Sequence, residues 1–110
     1  METMERVLKL ATPSGIVDVP VRISSPVRLA GSWQCHWEIR WPANTRNNSA
    51  GGVDAVQAMF HALQMVGIEL YSSREHREGR LQWAGAEGGY GFPLTRNLRD
   101  LLVGQDAEFL

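Results

Sequence analysis

Residues 33–41 read Trp-Gln-Cys-His-Trp-Glu-Ile-Arg-Trp, an unbroken alternation of bulky or apolar side chains with polar ones. Trp33, Cys35, Trp37, Ile39 and Trp41 take the odd positions, and Gln34, His36, Glu38 and Arg40 the even ones. A period of two sends alternate side chains to opposite faces of an extended chain, and no helix reproduces it. The segment is therefore a strand with one buried face, and that face holds three of the chain's four tryptophans. So much apolar area on one side of a sheet requires a second layer to cover it.

The residues before this strand continue the sheet. Residues 6–11 form a short strand, and Thr12-Pro13-Ser14-Gly15 is a type I turn, with proline where its fixed φ is wanted and glycine at the end. Residues 16–23 resume the strand pattern with Val17, Val19, Val21 and Ile23 on one face. Pro20 has no N–H to give a ladder, so this piece is expected at an edge or at a bulge. Ser24-Ser25-Pro26 breaks it, residues 27–30 form a third extended piece, and Gly31-Ser32 leads into the tryptophan strand. Links this short favour antiparallel neighbours. Residues 42–52 are polar, rich in breakers and without period, and read as a loop.

The covering layer begins at Asp54. Asp54 suits an N-cap, and Gln57 three residues on is placed to reach back to the cap's own N–H. Stepping 100° per residue, Val56, Met59, Phe60, Leu63, Val66 and Leu70 gather on one half of a helix expected over about 54–71, and this half is expected to face the sheet. The other half offers Ala58, His61, Ala62, Met65 and Ile68, with no charged residue from Ala55 to Ile68. An ordinary surface helix carries charge there. Three coverings are open: the chain's own C-terminal segment, a partner or second copy docking on His61, Ala62, Met65 and Ile68, or plain exposure.

Residues 72–79 are charged and read as a solvated loop, and residues 80–83 as one more strand, with Leu81 and Trp83 on the same side. Gly85, Gly88, Gly89 and Gly91 make a flexible link to Phe92-Pro93-Leu94. Thr95 is a candidate N-cap for a short helix over about 96–103, with Gly104 as its stop.

Size and composition fit a single domain. A chain of 110 residues with 44% apolar and 21% charged residues is globular rather than disordered. Ten arginines and one lysine are balanced to a formal net charge of -1, so attraction to phosphate backbones is not a property of the whole chain. The single cysteine, Cys35, excludes an internal disulfide and suits a reducing compartment. No secretion signal is evident at the start, and no segment reaches the roughly 18 apolar residues that span a bilayer. A soluble, cytoplasmic protein is expected, with no role for the membrane.

Candidate chemistry is sparse. His36, His61, His76 and Cys35 lack the paired short spacings of a metal site, and Cys35-His36, as strand neighbours, point to opposite faces. Cys35 on the tryptophan face is a small buried hydrophobe rather than a nucleophile. Asp54, Gln57 and His61 share one stripe at i, i+3 and i+7; they are a pocket candidate for acid–base work, against the simpler roles of cap and flank. Gly85-Ala86-Glu87-Gly88-Gly89-Tyr90-Gly91 is followed by Phe92-Pro93 and not by a helix start, so it is a turn rather than a phosphate cradle. A ligand site would need His61, Asp54 or Glu87 to converge beside an aromatic wall. A nucleic-acid surface would need Arg40, Arg46, Arg74, Arg77 and Arg80 on one face, or an exposed tryptophan row for stacking, and neither is expected. No catalytic residue, metal or cofactor is assigned.

Trp33-x-Cys35, then Gly52-Val53-Asp54-x-x-Gln57-Ala58, then Leu81-Gln82-Trp83 and Gly91-Phe92-Pro93, resemble the motifs of a group of small uncharacterised bacterial proteins. The likeness spans about residues 33–93. It implies no activity and no catalytic residue.

The expected fold is α+β: an antiparallel sheet of four to five strands, one main helix packed on one face, and a short C-terminal helix. The expected function is non-enzymatic, a protein–protein interaction module, homodimeric or serving as an adaptor or immunity-like protein. A small ligand-binding domain or enzyme at Asp54 and His61 is the first alternative, and a nucleic-acid binder the second.

Overall fold

The computed structural model describes residues 2–83 and 88–110. Its elements are strands β1 (Thr3–Thr12), β2 (Gly15–Ser24), β3 (Val27–Leu29), β4 (Ser32–Arg40) and β5 (Thr45–Gly52), helices α1 (Ala55–Tyr71) and α2 (Arg74–Arg77), a two-residue strand β6 (Leu81–Gln82), a 3-10 turn (Arg96–Leu101) and helix α3 (Gln105–Phe109). Every strand pairing is antiparallel, which makes the fold α+β with one main helix.

β1 and β2 form a hairpin closed by the predicted turn, with Thr12 opposite Gly15. β2 breaks at Ser25-Pro26 and β3 carries on along the same side of β4, so that β4 pairs β2 at residues 37–39 and β3 at residues 32–34. Pro20 lies just before the β2–β4 ladder starts at Val21, where its missing N–H costs no bond to β4. β6 adds to β1 only at Lys9 and Leu10.

The stretch expected to be a loop is a full strand. β5 pairs β4 from Arg40–Thr45 to Trp33–Gly52, raising the sheet to six strands. Its sequence, Thr-Arg-Asn-Asn-Ser-Ala-Gly-Gly, buries only Ala50. With no apolar face it has no period to detect, and what makes it a strand is the backbone edge of β4 beside it.

One face of the sheet is the core. Leu8, Leu10, Val19, Val21, Ile23, Cys35, Trp37, Ile39 and Ala50 are buried there, and Trp33 and Trp41 pack partly buried against them. The tryptophan row is core, as its alternation required. The Trp37 indole N–H finds no acceptor among the described residues.

α1 covers this face, but turned about its axis from the expected orientation. Ala58, Ala62, Val66 and Leu70 are its buried residues against the core, whereas Val56 and Phe60, expected to point inward, are 76% and 51% exposed. Volume explains the difference. A sheet face carrying Trp37 and Ile39 already fills the space between layers, and the helix approaches through its alanines; larger residues there would overfill the gap. Ala62, assigned from sequence to a partner surface, is therefore fully buried, and Met65 and Ile68 pack against the same core.

The helix has a second cover. A Cβ on Gly67 would collide with the carbonyl oxygen of Pro93 and meet Leu94, so the C-terminal segment lies directly on the outer side of α1. The short helix expected over about 96–103 is present in that segment as a 3-10 helix, Arg96–Leu101. After it the chain turns at Gly104, with a φ of 60°, and continues as α3. Thr95 does not cap the turn; its hydroxyl donates to Asn97 Oδ1 instead.

Candidate functional site

The start of α1 is built as the sequence implies, with one displacement. Asp54 Oδ1 accepts the Gln57 N–H at 2.8 Å, and Gln57 Oε1 accepts the N–H of Val53, one residue before the cap, also at 2.8 Å. His61 Nδ1 donates to the Gly51 carbonyl at 2.9 Å, tying α1 to the end of β5. A carbonyl only accepts, so this nitrogen carries the proton. Asp54, Gln57 and His61 are thus together, but each already has a backbone partner. Glu87, the third acid considered for a pocket, lies outside the described residues, as do residues 84–86 of the glycine-rich stretch. Cys35 and His36 diverge as expected: the thiol is buried and donates to the Ser24 carbonyl at 3.2 Å, while the imidazole is exposed. Burial pushes the Cys35 thiol pKa up, away from thiolate chemistry.

Beside this cap runs a bare apolar stripe. Val53, Val56 and Phe60 are 83%, 76% and 51% exposed, at i, i+3 and i+7. One turn further, Leu63 joins Met4, Val21, Ile23 and Phe92 in lining a cleft of about 210 Å³, to which Glu5 and Arg6 add charged groups. The C-terminal segment covers α1 from Gly67 onward and leaves this first half open.

A larger cleft, of about 500 Å³, opens at the other end of α1. Leu10, Pro13, Trp41 and Pro42 form its apolar surfaces, and Arg46, Arg74, Arg80, Glu69 and Glu75 its charged ones. Three of the five arginines considered for nucleic acid thus meet in one place, but Arg46 is paired with Glu69 at 2.8 Å and Arg80 with Glu78 at 2.6 Å. Arg40 pairs with Glu38 on a strand, and Arg77 donates to the Ser72 carbonyl. No continuous basic face results.

The most elaborate polar arrangement was not foreseen. Asp106, 2% exposed, accepts at Oδ2 from the Tyr71 hydroxyl (2.6 Å) and the Tyr90 N–H (2.8 Å), and at Oδ1 from the Gly91 N–H (2.8 Å). Two successive backbone N–H groups thus converge on one carboxylate, helped by the φ of 77° at Gly91. Behind them Arg6 Nη1 donates to the carbonyls of the same two residues, at 2.9 and 3.0 Å. The Arg6 guanidinium stacks 3.9 Å from the Trp83 ring and 4.9 Å from that of Phe92. Desolvation lowers its pKa, with Asp106 pulling the other way.

Tyr71, Tyr90 and His76 pack edge to face around the cluster, at 4.9 to 5.4 Å between centroids. Burial, reinforced by the Asp106 charge, raises the Tyr71 hydroxyl pKa strongly and that of Tyr90 to about 12. The Tyr90 hydroxyl donates to Nδ1 of His76, whose pKa burial lowers, so the imidazole stays a neutral acceptor. The two hydroxyls and the imidazole therefore sit in the protonation states that their bonds require. No sequence signal marked the cluster, because Asp106 lies in a polar tail indistinguishable from Glu108 nearby.

Among the described residues no helix is long and apolar enough to cross a membrane. No curated protein and no solved structure matches the chain. The family model described as Domain of unknown function (DUF6968) matches residues 4–94, well over half of the chain, and the chain accordingly belongs to this family, which has no known activity.

Proposed function

We propose that the protein is a non-enzymatic interaction module that associates through the open first half of α1, with a second copy of itself as the partner. The observation that carries the proposal is the apolar stripe of Val56 and Phe60 on α1 with Val53 just before its cap, three large side chains more than half exposed. Its chemistry favours self-association. Across a two-fold axis each patch meets its own copy, so a charge near the axis meets a like charge. From Ala55 to Ile68 the helix carries none, and the Asp54 carboxylate at its start is engaged with the Gln57 N–H. The single buried thiol suits a reducing compartment, and cytoplasmic placement is part of the proposal. The test is mass in solution by light scattering. A dimer that Val56→Glu and Phe60→Glu each convert to a folded monomer supports the reading, and a single-chain mass for the unmodified protein at micromolar concentration removes it.

A second reading rests on the cleft around Trp41. Its aromatic wall stands beside Arg74, whose side chain has no ion-pair partner among the described residues, and this suits a planar anion. Tryptophan fluorescence that responds to an aromatic carboxylate, and stops responding in Arg74→Ala, is the outcome it requires.

A further inference from the structure

We propose that Tyr71, Tyr90 and Gly91 form a carboxylate receptor that Asp106 fills in cis as a removable plug, so that α3 is a displaceable strap and the ligand in trans is a small carboxylate. This goes beyond the dimer reading and stands or falls apart from it.

Three observations converge. The first is the donor set. One hydroxyl and two successive N–H groups point at a single carboxylate, and from behind Arg6 holds the carbonyls of the same two residues, Tyr90 and Gly91. Arg6 is a positioning residue here, since it grips the Tyr90–Gly91 peptide, whose N–H binds the carboxylate, and the peptide that follows it. Gly89 completes the fit, because a Cβ there would stand 2.7 Å from the carboxylate carbon of Asp106. Such preorganised donors recognise the anion and not the chain that carries it.

The second is how α3 is attached. Of residues 105–109 only Asp106 is buried, and Phe109 on the same short helix is 73% exposed. The buried contact of this helix with the body is thus a charged side chain and not an apolar face. A cleft of about 180 Å³ bounded by Trp83, Gly91, Asp106 and Phe109 opens beside it and gives a small anion a way in.

The third is where the two halves lie in the chain. All the donors, with Arg6 and Gly89, fall within residues 4–94, the part matched by the family model, whereas Asp106 falls beyond it. The receptor thus belongs to the family domain, and the plug to the segment that follows.

Chemical rescue in the 110-residue chain tests this. Asp106→Ala is expected to lower the hydrogen-exchange protection of the Gly91 and Tyr90 amides about tenfold or more, the scale of one lost charge-assisted hydrogen bond. Sodium acetate is expected to restore it, while sodium chloride at the same ionic strength is not, and the unmodified protein, its receptor already filled, is expected to respond equally to both salts. Asp106→Asn keeps the shape and loses the charge, and acetate should rescue it less. If either variant is unfolded without salt, recovery of the helical circular dichroism in acetate but not in chloride gives the same answer. Equal effects of the two salts on Asp106→Ala, or the same acetate response in the unmodified protein, overturn the proposal.

Discussion

Gly67 of α1 and Pro93 of the C-terminal segment meet backbone to backbone: a Cβ on Gly67 would overlap the Pro93 carbonyl oxygen. Gly67→Ala in an exposed helix would stabilise by roughly 0.5–1 kcal/mol. Here the methyl must push two main chains apart, and the expected result is a loss of about 1–3 kcal/mol. Urea unfolding reads the sign directly, and stabilisation would mean that the segment does not lie on the helix.

The rotation of α1 makes opposite predictions for neighbouring positions. Val56→Glu and Phe60→Glu change side chains more than half exposed and are expected to alter stability by no more than about 0.5 kcal/mol, whatever they do to association. Ala62→Leu forces a larger side chain between α1 and the sheet and is expected to cost about 1–3 kcal/mol. Thermal melts of the three variants under conditions where the chain is monomeric check this.

Cys35 is expected to be inert while the chain is folded. Its thiol is fully buried, donates to the Ser24 carbonyl and has a raised pKa, so a thiol reagent reaches it only through unfolding. Labelling by an aromatic disulfide should be slow in buffer and stoichiometric in denaturant. Rapid labelling in buffer would contradict the burial.

His76 gives stability a slope in mild acid. Burial lowers its pKa below the ordinary 6.5, so on acidification the unfolded chain takes a proton before the folded chain does. The contribution is whole above about 6.5 and is lost as the pH falls through the folded value. His76→Gln keeps an acceptor for Tyr90 and is expected to flatten that part of the stability profile, measured by urea midpoints across the range. An unchanged slope would place its origin elsewhere.

What the sequence revealed depended on whether the cause was local. The β4 alternation, the β1–β2 turn at Pro13 and Gly15 and the Asp54 cap all arise from neighbouring residues, and each is found where expected. The end of α1 at Tyr71 was equally legible. β5 was not, because its pairing is supplied by β4 and its own side chains are indifferent to it. The buried side of α1 was misjudged because apolar periodicity measures hydrophobicity, whereas the fit against Trp37 is decided by volume. Of the site residues, Asp54, Gln57 and His61 do cluster, but as fasteners of the first turn of α1. Asp106 was invisible because its partners come from positions 16 and 35 residues away, joined only by folding.

The grip of Arg6 on Tyr90 and Gly91 also bears on synthesis. These bonds span 84 and 85 residues, so the guanidinium on β1 finds those carbonyls only after all the residues between them have been made. The β1–β2 hairpin is local and forms cheaply, yet its final seat is set by one of the longest loop closures in the chain. A growing chain stalled before residue 90 would carry a formed hairpin with an unanchored cation.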